Sequence, residues 1–232
     1  MFPFFFDPTY VLVIAGLIIT MIASARVNST FRQYDQIQSS NRLTGATAAQ
    51  AILDESGIED VQIRKIAGNL TDNYDASQRV LSLSEATYDS TSVAAIGVAA
   101  HEVGHALQHH SGYVPLQIRS GIFPLVNIGS HLAFPLIIAG VLFSWNQALI
   151  NIGIWAFALV LIFQLVTLPV EFNASGRALK ILSQDGLLTN QEIPMVRKVL
   201  DAAAMTYVAA VLSSFLQLLR LVLLFGGGND RD

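Results

Sequence analysis

The chain has 232 residues, of which 53% are apolar and only 13% charged, with a mean hydropathy of +0.51 and a net charge of −4. A soluble domain of this size carries about twice that charged fraction, so much of the surface must face lipid, and a wholly water-soluble protein is excluded. No basic run exists to hold nucleic acid, and the lack of cysteine rules out a disulfide scaffold and thiolate metal ligands, leaving His and carboxylate as the only metal-binding groups.

In chain order, MFPFFFDP leads into an apolar run over 8–25, just long enough to cross a bilayer. Ala23-Ser24-Ala25 has the form of a signal-peptide cleavage site, but no Lys or Arg precedes the run and Asp7 has the wrong sign, so an uncleaved transmembrane helix is expected. Residues 26–121 are polar enough for a water-facing domain. Within it, Thr47-Ala48-Ala49-Gln50 has capping-box form and Gly57 suits a helix C-terminus, which brackets a short helix through Ile52. Val61, Ile63 and Ile66 set among polar residues predict a strand, Gly68 to Asp75 a turn, and Arg79 to Ser84 a second short strand. Ser90, Thr91 or Ser92 can cap the helix that follows.

That helix carries His101-Glu102-Val103-Gly104-His105. In helical geometry two imidazoles four residues apart lie one above the other on a single face, where both can bind one ion. Zn²⁺ accepts His nitrogen readily, and Glu102, beside the first histidine, is placed to act as general base on a water activated by the ion. The Ala- and Gly-rich run Ala94 to Ala100 lets the buried face of this helix approach its neighbours closely.

Three further apolar spans are expected over 126–143, 148–168 and 205–225, the first two joined by Ser144 to Gln147 as a tight antiparallel hairpin. A second polar segment, 169–204, separates the last two. It is expected to hold one helix from Glu171 to Ser183 and another opened by the capping box Thr189-Asn190-Gln191-Glu192. Four spans put both polar segments on one side of the membrane. Of the 13 basic residues only Arg220 and Arg231 lie elsewhere, so the positive-inside rule places both segments, and the candidate site, in the cytoplasm. Arg220 lies inside the last span, and its expected behaviour is to snorkel to the nearer interface. Trp145 and Trp155 are candidate interface anchors, and Gly226 to Gly228 reads as a flexible end.

A catalytic zinc site normally has three protein ligands and keeps its fourth position for water. His109 continues the i, i+4 series, but it lies about 12 Å from His101 at about 1.5 Å per residue, while Zn–N bonds are about 2 Å. One ion cannot bind all three. The extended metzincin pattern needs Gly and His where this chain has Gln108 and Ser111, so it is excluded. Glu171 is the best-placed third ligand: it follows the 148–168 span closely, on the same side as His101 and His105. Glu85, Asp89, Glu192 and Asp201 lack such a flank. Ser175, one turn beyond Glu171, can orient a ligand histidine.

HEVGHALQH followed by PVEFNASGRAL resembles the YugP-like neutral zinc metallopeptidases of bacterial membranes. More distantly it is similar to the HtpX and CAAX prenyl protease group, in which a Glu-x-x-Ala-Asp helix gives the third ligand; here Ser175 stands in place of the Asp. The resemblance implies an α-helical membrane protein of about four transmembrane helices with a small α+β zincin-like catalytic domain. It implies one Zn²⁺ per chain on His101, His105 and Glu171, with Glu102 as base, and it makes Arg79 to Ser84 an edge strand able to bind a peptide by β-augmentation. The expected activity is peptide-bond hydrolysis in membrane or membrane-adjacent proteins, with the bilayer and a polypeptide substrate as partners, from a multi-pass position in the bacterial cytoplasmic membrane. His110, His131, Arg177 and Tyr207 are candidates for the oxyanion-stabilising group, of which His131, near the start of an otherwise apolar span, is the most suggestive. The competing reading is a membrane scaffold with a structural metal site. The Asn-x-Ser/Thr triplets at Asn28, Asn69 and Asn173 fall on the expected cytoplasmic side and are taken as chance.

Overall fold

The computed structural model describes residues 7–226. Met1 to Phe6, Gly227, Gly228 and Arg231, parts of the leading stretch, the tail and the basic-residue count above, lie outside the described residues. The chain is an α-helical membrane protein with a small α+β domain. Among the described residues, four helices are long and apolar enough to cross a membrane: α1 (Tyr10–Asp35), α5 (Val114–Leu142), α6 (Gln147–Gln184) and α7 (Ile193–Phe225). Ala25–Gln117 with Pro169–Met205 form one compact unit; the described residues of 7–24, Ile118–Leu168 and 206–226 form another.

The first unit holds α2 (Gly45–Glu55), strands β1 (Gln62–Ile66), β2 (Asn73–Asp75) and β3 (Val80–Ser84), the short α3 (Glu85–Tyr88) and α4 (Val93–His110). Helix α2 starts earlier than its sequence signal. Thr44, not Thr47, is its N-cap, the Thr44 hydroxyl accepting from the Thr47 N–H, and Gly57 follows its last turn at φ 66°. Ser92 caps α4 by accepting from Ala95 N–H at 3.1 Å, and its own hydroxyl donates to Asp35 at 2.7 Å. The core joins Ile52 and Leu53 of α2, Leu81 and Leu83 of β3, Ile96 and Val103 of α4, Leu182 of α6, and Val196 and Leu200 of α7.

The sheet order is β1-β3-β2, with β1 parallel and β2 antiparallel to β3. This overturns the expectation that Arg79 to Ser84 forms an edge: β3 is the central strand and every one of its residues is buried. Its serines tolerate this because each finds a partner. The Ser82 hydroxyl accepts from Arg64 Nε at 2.8 Å, and the Ser84 hydroxyl donates to Asp72 at 3.0 Å. Part of the stretch expected as a turn, Asn73–Asp75, forms β2 instead.

Helix α6 also departs from expectation. No new helix begins near Glu171; α6 runs unbroken through Pro169 to Gln184. Proline removes one N–H from the ladder, but Ala174, Arg177, Ala178, Leu179 and Lys180 beyond it are strong helix formers that restore the turn. Glu171 is therefore held in mid-helix rather than in a frayed first turn. The Thr189–Glu192 box does precede α7 as expected: the Glu192 carboxylate accepts from the Thr189 N–H and hydroxyl at 2.7 and 2.8 Å, and from the Ser40 N–H and hydroxyl at 2.7 and 2.9 Å.

In the second unit, α5 and α6 form the expected tight hairpin, turned by Ser144 and Trp145 at φ 57° and 59°. A Cβ on Gly153 would stand 2.6 Å from the Ala133 carbonyl, so only glycine permits this approach of the two helices. Ile137, Ile150, Leu221 and Phe225 form the local core. Arg220 lies 4.2 Å over the Tyr10 ring and 4.0 Å from the Asp7 carboxylate, so its charge is met inside the protein. Trp155 is 72% exposed and takes no part in the core.

Candidate metal centre

His101 and His105 lie one turn apart on α4, their rings edge to face with centroids 4.8 Å apart. Both turn Nε2 toward Oε2 of Glu171 on α6, at 3.2 and 3.5 Å respectively. All three groups lie within 4.8 Å of one another, and Glu171 is only 2% exposed. The approach of the two helices depends on Gly104: a Cβ there would meet the Ala174 carbonyl at 2.6 Å. The sequence thus places glycine between the two histidines and alanine opposite it, which brings Glu171 into reach.

The other ring nitrogens are engaged. His101 Nδ1 lies 3.0 Å from the Ser175 hydroxyl, and His105 Nδ1 lies 3.0 Å from Oε1 of Gln108, which is fully buried. The second contact can be assigned a direction. Arg177 Nε, a donor only, points at Asn173 Oδ1 at 2.8 Å, which makes that atom an oxygen. Gln108 Nε2 donates to this oxygen at 3.0 Å and to the Val170 carbonyl at 2.7 Å, so its other terminal atom is an acceptor. His105 Nδ1 is therefore the N–H donor. In neutral His105 the Nε2 lone pair then faces the Glu171 carboxylate, and the contact between these two acceptors is satisfied by a proton on Nε2 or by a metal ion held between them.

A metal ion fits that contact. A tetrahedral ion with bonds of about 2.1 Å sets its ligand atoms about 3.4 Å apart, close to the two histidine–carboxylate separations, and two imidazoles with one carboxylate form a donor set suited to zinc. The electrostatics agree. Burial works against the Glu171 charge, but the hydrogen bonds and charges of both histidines outweigh it and hold the carboxyl well below the usual range. Burial opposes charge on His105 too, yet the Glu171 and Glu102 carboxylates raise its pKa.

Glu102 is buried beside this cluster. Burial raises its pKa, partly offset by the two imidazoles, while the nearby charges of Glu171 and Asp72 push in the same direction as burial. It makes no hydrogen bond or ion pair among the described residues that would commit its oxygens elsewhere. Arg177 is linked to the centre through Asn173 and lies 5.8 Å over the Tyr113 ring. His110 is exposed at the end of α4, and His109 pairs with the Tyr74 hydroxyl at 2.9 Å instead of the ion site. His131 and Tyr207 belong to the other unit. Sequence reasoning used Gln108 only to exclude the metzincin pattern and missed its role. The available signal was an amide three residues after His105, on the helix face that carries both histidines.

The family described as "Putative neutral zinc metallopeptidase" matches residues 9–226. The chain is 47% identical over 221 residues to "Putative membrane protease YugP" of Bacillus subtilis (strain 168), covering 95% of this chain and 98% of the relative. No solved structure shows a significant match.

Proposed function

Because the chain belongs to the neutral zinc metallopeptidase family, we propose that it is a multi-pass membrane protease that hydrolyses peptide bonds in membrane or membrane-adjacent proteins. The reading rests on one observation: two imidazole nitrogens and a carboxylate oxygen converge at 3.2 and 3.5 Å, with the His105 tautomer fixed so that its lone pair faces inward.

His101, His105 and Glu171 are the proposed ligands of one zinc ion per chain. When bound, zinc supplies Lewis acidity, polarising the scissile carbonyl and lowering the pKa of water toward about 7. Glu102 takes a proton from the attacking water and returns it to the leaving amine nitrogen. Its burial suits it to both steps, because a carboxylate with a raised pKa accepts a proton more readily near neutral pH. Ser175 and Gln108 hold the two imidazoles in the orientation that exposes Nε2. Arg177 is the favoured of the oxyanion candidates, because the Asn173 contact ties it to the ligand network. Three protein ligands leave a coordination position for substrate, whereas a scaffold's structural site is closed by four. Segments 26–121 and 169–204 are the water-facing catalytic parts, and the distribution of basic residues supports their cytoplasmic orientation.

Glu102→Gln in the purified protein tests the reading. The variant should keep about one zinc per chain and lose peptidase activity by several orders of magnitude; wild-type activity in a zinc-loaded variant refutes it.

A further inference from the structure

Helix α5 packs on its neighbours through a seam of small and branched residues, Val126, Gly129, Ala133, Ile137 and Gly140. At 3.6 residues per turn, the opposite side of the helix carries Pro124, Asn127, His131, Pro135, Ile138 and Leu142, spaced at intervals of three or four residues, and all six are exposed. This face is unusual in two ways. No charged residue occurs from Ser120 to Leu142, and His131 lies midway along this uncharged stretch, exposed, with Asn127 one turn away. The prolines add to this. Pro124 and Pro135 have no N–H to give to the carbonyls of Ser120 and His131, which therefore lose their regular helical donor. Neither the Asn127 amide nor the His131 ring has a hydrogen-bond partner among the described residues, and hydrocarbon supplies none.

We propose that this face of α5 is the interface of a homodimer, two copies packing their α5 helices in parallel about an axis along the membrane normal. The chemistry favours a second copy because the face is self-complementary. Two-fold symmetry brings groups at equal depth together, Asn127 opposite Asn127 and His131 opposite His131. A carboxamide donates and accepts, as does a neutral imidazole, so each residue can satisfy its own twin. Their N–H groups can also reach the carbonyl that Pro135 leaves free. The three- and four-residue spacing keeps these positions on one stripe of the helix, with Ile138 and Leu142 continuing the contact in apolar form.

The lack of cysteine makes the test direct. Ile138→Cys, on the face, and Ile152→Cys, an exposed position on α6, are each reconstituted at low density in phosphatidylcholine vesicles and treated with a short bis-maleimide. The homodimer predicts a cross-linked dimer from Ile138→Cys and monomer from Ile152→Cys. Energy transfer between labelled copies then gives the association constant. It should fall roughly three- to thirty-fold with Asn127→Leu or His131→Leu, and recover with Asn127→Gln, which keeps the amide. Equal cross-linking from both positions, an association constant unmoved by either leucine, or Ile138→Cys adducts formed only with other polypeptides in native membranes would each overturn it.

Discussion

The side-chain carbonyl of Gln108 lies 3.0 Å from Nδ1 of His105, one turn away on the same helix, and accepts the imidazole N–H. The same side chain donates to the backbone of α6 next to Glu171, so one buried amide sets both the tautomer of one ligand and the spacing to another. Replacing it with Leu, of similar volume, frees the ring to flip or to protonate Nε2. Zinc affinity measured by chelator competition should fall about 10- to 100-fold, with the helical circular dichroism of the chain retained. Unchanged affinity would show that packing alone orients His105.

Gly104→Ala is a test of helix spacing rather than of chemistry. Its methyl group would meet backbone, the Ala174 carbonyl at 2.6 Å, which cannot turn aside as a side chain can. The helices must part, at a cost of about 1–3 kcal/mol in unfolding free energy. Because Glu171 lies one turn from the contact, zinc affinity should weaken as well, even though no ligand is altered. Full retention of both would mean the approach of α4 and α6 can relax at no cost.

Metal removal should destabilise the protein through the same groups. An ion bound only by the folded state adds about 4 kcal/mol when present at a thousand times its dissociation constant. A chelator should therefore lower the Tm of the wild-type protein in detergent. Glu171→Gln, which removes the anionic ligand, should show a much smaller difference with and without chelator. An equal chelator effect on both would place the stabilising ion elsewhere.

Glu192 gives a pH-dependent prediction away from the metal centre. Burial opposes its charge, but hydrogen bonds from Thr189 and Ser40 outweigh that and lower its pKa. A carboxyl depressed in the folded state contributes stability above its unfolded pKa of about 4.3, and that contribution disappears as pH falls through the folded value. Glu192→Gln should cost about 1–3 kcal/mol at neutral pH. The variant and wild-type curves should converge below about pH 4 in denaturant titrations. Parallel curves across the range would exclude the linkage.

The HEVGH pair was legible because helix geometry alone carries i to i+4 onto one face, and the four spans because lipid imposes length and composition. Glu171 was legible only as a carboxylate in a favourable place, since nothing local says which residue of a distant helix will meet two histidines. Its setting in mid-helix was hidden by Pro169, a residue that commonly ends helices but here does not. Gln108 carries only the faint signal of an amide one turn after His105, and Asn173, two residues after Glu171, carries none until the tertiary contact exists. The sheet misled for a related reason. β3 alternates Leu and Ser like a half-exposed strand, and only the parallel pairing with β1, plus partners for both serines, turns it into a buried centre.

The compact unit that holds the metal centre is built from two pieces of chain, Ala25–Gln117 and Pro169–Met205, with the α5–α6 hairpin emerging from the ribosome between them. During synthesis the histidine pair is complete long before its carboxylate partner exists. The three groups of the centre can therefore come together only after the hairpin has been translated, and a chain arrested earlier carries the two histidines without their carboxylate.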